Sequence, residues 1–265
     1  RMLDYCIRWR EKAGLMDEQY YYWSLRYARD YRHSIGKDDS LHIYFEKMAR
    51  VLPAKYSDAA FGLRDWASFT IGRKEYARFE PIERATQKYI NDKIQLGQRD
   101  AGYAEGLITL GRMSAVQGQT ERALKAYGDA LVINETFKET DFTSYMRNLK
   151  LIVSLCNDKR VYSSGTESYF QKFLAAYPAT SKNEDEYLVN LMEAVRYHSA
   201  NGRTDDAIAL VESALGYVEQ HQGKQSQEFK LFDAFLRNLK SPESGLSKKD
   251  QVTMSAALGL KEMED

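Results

Sequence analysis

Four histidines, two cysteines and a few adjacent acid pairs are the side chains of this 265-residue sequence with acid, base or nucleophilic chemistry to offer. His33, His42, His198 and His221 are scattered, with no HExxH arrangement and no second ligand at helical spacing, so they do not read as a metal site. Cys6 and Cys156 have neither a CxxC spacing nor a nearby histidine, and both read as free thiols packed within helices. Asp38 with Asp39, and Asp205 with Asp206, fall at helix starts, where a carboxylate faces the positive end of the helix dipole without any proton-transfer role. The Gly36 and Lys37 pair lacks the earlier glycine and the following Ser or Thr of a phosphate-binding loop. A serine nucleophile on a strand-to-helix elbow would need a strand that the pattern does not contain. The expectation is therefore a protein that is not an enzyme and uses no cofactor or metal.

Recognition chemistry is better represented. In QYYYWSLRYARDY, Leu25 and Ala28 can face a core while Trp23, Tyr27 and Tyr31 line a neighbouring stripe of the same helix. Either a helix over residues 1–12 covers that stripe through Leu3, Ile7 and Trp9, or the aromatics stay open as anchors for a peptide.

Such side chains need a frame, and a repeat supplies it. GQTERALKAYGDALVIN from Gly118 recurs in outline as GRTDDAIALVESALGYV from Gly202 and as GKDDSLHIYFEKMARVL from Gly36. The glycines stand 82 and 84 residues apart, which divides into units of about 41 or 42 residues. Thr120, Thr204 and Asp38 sit where a side-chain oxygen caps a helix, and Glu121, Asp205 and Asp39 place a negative charge in its first turn. Ala123, Tyr127 and Ala130 then follow on one stripe, with small residues that let a second helix approach closely. A partner helix lies upstream of each glycine, carrying Leu107, Leu110 and Gly111, or Leu191, Ala194 and Val195, or Leu25 and Ala28.

This pattern resembles the tetratricopeptide repeat, a helix, turn, helix unit of about 34 residues. Residues 104–137 carry the resemblance best, with Leu107, Leu110, Gly111, Gly118, Ala123, Tyr127 and Ala130 in the signature slots; 188–221 and 22–53 follow, the last ending in Pro53. Two degenerate units are expected between them, around Phe61 to Asn91 and Tyr145 to Pro178, with Thr166, Phe170 and Phe173 in place of the small residues. The fold class implied is all-α, a right-handed α-solenoid of stacked antiparallel helix pairs. About five repeats are expected, over 20–55, 57–95, 103–137, 142–178 and 187–221, with C-terminal capping helices over 226–258, as one domain of a longer protein.

In that family the concave face is built from the first helix of each pair. The matching slots here hold Trp23, Arg26, Asp30 and His33; Glu105, Ile108, Arg112 and Ala115; and Val189, Met192, Arg196 and Ser199. Tyr27 adjoins the first set, and Asn148 falls between Arg112 and Arg196. The resemblance implies that Arg112 and Arg196, in one slot, either grip a carboxylate with paired donors or stand as ordinary solvated arginines. The Lys, Asn, Asn, Lys, Arg set with which chaperone-binding members hold a terminal carboxylate is not complete in this chain.

Thirty-eight basic and 38 acidic residues leave the chain formally neutral, with no basic block of the kind that neutralises phosphates, so nucleic acid is not an expected partner. No apolar segment approaches the ~20 residues of a membrane span, no signal peptide is recognisable, and no compartment is fixed. Four prolines, Pro53, Pro81, Pro178 and Pro242, fall at helix boundaries. What the resemblance implies is an adaptor module that binds a protein or peptide segment in its groove. The alternative is the sensory or regulatory repeat region of a larger bacterial signalling protein, such as a sensor kinase or transcription regulator.

Overall fold

The computed structural model describes residues 2–16, 19–51, 58–180 and 184–241, and among these every regular element is helical. The described residues form two compact units whose boundary falls between Asn148 and Leu149. The first holds α1 (Met2–Lys12), α2 (Gln19–Ser34), α3 (Leu41–Val51), α4 (Asp58–Gly72), α5 (Phe79–Gln95), α6 (Ala101–Val116), α7 (Thr120–Thr136) and the first turns of α8 (Phe142–Lys159). The second holds the rest of α8, then α9 (Ser164–Ala176), α10 (Glu184–Ala200), α11 (Thr204–His221) and α12 (Gln227–Lys240). Pro53, Pro242 and the segment expected to continue the C-terminal cap through 258 lie outside the described residues. Pro81 is in the first turn of α5, and Pro178 is in a 3-10 turn, Tyr177–Thr180.

Helices adjacent in sequence pack against each other: α2 on α3, α4 on α5 and α6 on α7 in the first unit, α10 on α11 and α11 on α12 in the second. Within the first unit α4 also packs on α6, so first helices of successive pairs are neighbours. The stripes that pack are the ones the repeat marks. Ala123, Tyr127 and Ala130 of α7 are buried, as are Ala207, Val211 and Ala214 of α11 and Leu41, Phe45 and Met48 of α3.

The pairs share one turn. Gly36, Gly118 and Gly202 have φ of 68°, 76° and 69°, the left-handed region in which a residue with a Cβ is strained. Each ends its helix with the same two backbone bonds; at Gly118 these run from Gly118 N to Ala115 O (3.0 Å) and from Gln119 N to Ser114 O (2.9 Å). Lys74 closes α4 and Arg160 closes α8 in the same way, with φ of 57° and 55° and no glycine.

That turn alters the expected capping. Thr120 and Thr204 are the first helical residues of α7 and α11, while Gln119 and Arg203 occupy the cap positions without a side-chain cap bond. The residue that completes the closing turn of one helix is already the cap of the next, which leaves no place for the threonine ahead of the helix. Asp38 likewise opens a 3-10 turn, Asp38–Ser40, instead of capping α3. Side-chain caps occur at longer connections: Asp100 accepts from Tyr103 N (3.0 Å) at α6, and Ser226 from Phe229 N (3.2 Å) at α12. Asp100 is itself held by Lys93, whose buried ammonium reaches it at 2.7 Å.

Candidate functional site

The face of the first unit that carries polar chemistry is built by α2, α4, α6 and the first turns of α8. On α2, Tyr21, Tyr22, Leu25 and Ala28 are buried in one cluster with Ile7 of α1 and Tyr44, Met48 and Val51 of α3, and Leu3 packs against it. Trp9, by contrast, is 52% exposed; α1 covers α2 through the apolar Leu3 and Ile7, and through polar bonds from Tyr21 to Glu11 (2.7 Å) and from Arg32 to Asp4 (3.2 Å). Tyr27 and Tyr31 remain open to solvent, at 58% and 56% exposure. Trp23 is half-buried: its indole meets Tyr22 edge-on at 5.8 Å, and the guanidinium of Arg26 lies 5.1 Å above it. Tyr27 flanks the same indole at 6.2 Å.

Next to this stack runs a chain of alternating charges. Arg29, buried against Phe45 with its guanidinium 5.0 Å from the ring, donates to Asp30 on its own helix (2.6 Å) and to Asp65 on α4 (3.3 Å). Asp65 also accepts from Arg64 (3.0 Å), which stacks 5.1 Å over Phe61 and stands 4.0 Å from Glu105 on α6. Glu105 is only 4% exposed and takes its bond from Arg147 on α8. Neighbouring first helices are thus stitched by ion pairs whose members alternate in sign. Arg112 of α6 reaches back to α4 as well, but its partner is the neutral hydroxyl of Ser68, at 2.9 Å.

The remaining expected residues divide between surface and interior. Asp30 and His33 are exposed, the latter 2.9 Å from Asp38. Ile108 and Asn148 are buried between helices and present no surface; Asn148 donates to the Tyr127 carbonyl at 3.1 Å, a lock between α7 and α8. In the second unit Met192 is buried, and Ser199 is half-buried. Arg196 is committed to carboxylates, with Glu193 at 3.1 Å and Asp158 closer still. Glu193 also accepts from Ser154 (2.8 Å) and Asn157 (2.7 Å). Lys150, on the same stretch of α8, is held below the usual lysine range by burial, against the pull of Glu193 and Glu186.

Among the described residues no group of three or more His, Cys, Asp or Glu is placed to hold a metal ion, and no helix is long and apolar enough to cross a membrane. The Cys156 thiol is buried, which pushes it up to about 12 and far from the thiolate a nucleophile needs. His42 has the look of an oriented base, with Nε2 2.7 Å from Glu75; its other nitrogen, however, accepts from Trp66 Nε1 at 3.1 Å, so neither is open to a substrate.

Arg29, Arg64, Asp65 and Arg147 in the first unit, and separately Glu193 beside Arg196 in the second, are residues that sequence reasoning passed over. A signal was present, since adjacent opposite charges recur on first helices as Arg29 with Asp30 and Arg64 with Asp65. A scan against protein-family models gives no match for this chain, and no curated protein matches it.

Proposed function

We propose that the chain is a non-enzymatic interaction module of the tetratricopeptide type. Its helix pairs stack as a right-handed solenoid, and it binds a peptide or protein segment along the face formed by the first helices. The observation that carries this reading is the Trp23, Arg26 and Tyr27 group on α2, an indole capped by a guanidinium with an exposed phenol beside it. Trp, Tyr and Arg are the residue types that dominate binding energy at protein interfaces, because each offers large, stiff area with a polar handle. The ion-pair ladder beside them, anchored on the buried Arg29 and Glu105, holds the neighbouring helices in register, so the face is organised before anything binds.

Selection of a displayed random-peptide library on the folded chain tests the reading. Enriched peptides are expected, and Tyr27→Ala is expected to weaken their binding by about tenfold, as an interface anchor does. A library that yields no binder, or binders indifferent to Tyr27→Ala and to Trp23→Ala, would count against it.

A further inference from the structure

Resting on the groove reading above, we infer that the segment taken by the α2, α4 and α6 face is acidic and extended, with Arg26 and Arg112 as its two carboxylate-binding groups. The inference comes from how charge is distributed on this face. Arg29, Arg64 and Arg147 are each answered by carboxylates, those of Asp30, Asp65 and Glu105, so the ladder is neutral within itself. Arg26 and Arg112 lie outside that balance. Arg26 is stacked on an indole and Arg112 is bonded to a hydroxyl, and neither has a carboxylate among the described residues within ion-pair distance. Both arginines are half-buried residues, and beside protein surface the dielectric is lower than in bulk water, so an incoming carboxylate is bound more strongly than by a fully exposed side chain. Among the described side chains of the face the surplus is two positive charges, which complements an anionic segment and disfavours a basic one.

The register of the helices sets the spacing. Arg29 pairs with Asp65 and Ser68 pairs with Arg112, so Arg26 stands on α2 level with the first half of α4, while Arg112 stands level with its second half. A close-packed step of roughly 8–10 Å from α4 to α6, a somewhat wider step from α2 to α4 that long side chains such as Arg29 bridge, and an axial offset of roughly 9 Å put the two guanidinium groups on the order of 20 Å apart. An extended chain covers that distance in about six residues. A helical segment would need about twice as many, so acidic residues six apart in an extended peptide are what the face fits. The Trp23 and Tyr27 rings at one end of this span would take an apolar side chain next to the first acid.

The test uses the same displayed library, on the whole chain. Selected peptides are expected to be enriched in Asp and Glu, with pairs about six residues apart. Synthetic versions with each acid replaced by its amide are expected to bind at least tenfold more weakly and with less dependence on salt. Arg26→Gln and Arg112→Gln should each cost about tenfold for the acidic peptide and leave the amide version unchanged. Ser68→Ala, which removes only the internal partner of Arg112, should keep full affinity. Arg26→Glu with Arg112→Glu should switch preference to the peptide carrying Lys in place of its acids, a gain that misfolding cannot imitate. Binders without acidic enrichment, or binders equally tight on both arginine variants, would overturn the inference and leave peptide binding standing. A library with no binder at all would remove the groove reading and this inference with it.

Discussion

The ring of Tyr127 on α7 packs against the backbone of Gly111 on α6, so closely that a Cβ at position 111 would stand 2.5 Å from Tyr127 Cε1. Both residues sit in the slots by which the chain resembles a tetratricopeptide repeat, and the reason is contact. A helix pair can close to this distance only where one helix has no side chain and the other offers a flat one.

Gly111→Ala is accordingly expected to destabilise the chain by about 1–3 kcal/mol through overpacking, despite alanine's better helix propensity. Tyr127→Leu should cost less in the Gly111→Ala background than in the wild type, because the two changes share one clash. Urea denaturation of the four proteins measures the coupling, and strictly additive effects would contradict the packing described.

The left-handed turns lead to an opposite expectation. Lys74 and Arg160 adopt φ of 57° and 55°, which glycine takes without strain. Lys74→Gly and Arg160→Gly should each stabilise the chain by roughly 0.5–1 kcal/mol, the relief of strain exceeding the entropy added to the unfolded state. A fall in the denaturation midpoint for both variants would show that these turns are not held as described.

Those same turns explain what the sequence could and could not reveal. The helical class and the packing of neighbouring helices were legible, because Gly36, Gly118 and Gly202 mark turns and the apolar stripes after them mark packed faces. The intervening pairs were faint for a physical reason: their turns use Lys74 and Arg160, and nothing in those residue types announces a left-handed backbone. The threonine caps were misread because the closing turn already occupies the cap position. At the candidate site, Trp23 and Tyr27 were legible, with Tyr31, as a helix stripe, and Arg26 only as a slot that the resemblance implies. The bond between Glu105 and Arg147 was not, since it joins residues 42 apart and exists only once the helices have packed.

Glu105 makes the ladder testable. Its carboxylate is 4% exposed, bonded to Arg147 and 4.0 Å from Arg64. Arg147→Ala leaves that charge buried with one distant cation; because the arginine side chain is itself 37% exposed and screened, the expected loss is about 1–2 kcal/mol, below that of a fully buried pair. Adding Glu105→Gln should recover most of it. If the double variant is less stable than Arg147→Ala alone, the buried charge is not the cause.

Acid should weaken the fold in a window set by histidine. Trp66 donates to His42 Nδ1, so Nε2 carries the proton and donates to Glu75. Burial holds this imidazole below its ordinary 6.5; Arg78 and Arg73 act in the same direction, and Glu75 opposes them. Burial lowers His198 likewise, against the pull of Asp206. The unfolded chain therefore takes up protons near 6.5 that the folded chain refuses, so this stability is complete above that pH and is lost as the pH falls through it. Glu11, Asp100 and Glu167 are held low in the folded state, and their contribution is lost only below the ordinary carboxylate range of about 4. Denaturation midpoints should drop between about pH 7.5 and 5.5, and His42→Gln should flatten part of that drop. A midpoint constant across the window would contradict the buried neutral histidines.

The claim on which the account rests is that the face of α2, α4 and α6 is where a partner segment sits. The chain has three tryptophans, and they report on different places: Trp9 is exposed on α1, Trp66 is buried with its indole N–H on His42, and Trp23 lies in the stack with Arg26. The direct measurement is a nitrogen-15 spectrum of the three indole N–H groups during titration with a library-selected acidic peptide. Trp23 is predicted to shift to saturation while Trp9 and Trp66 stay in place; a shift at Trp9 or Trp66 with Trp23 unmoved would contradict the account.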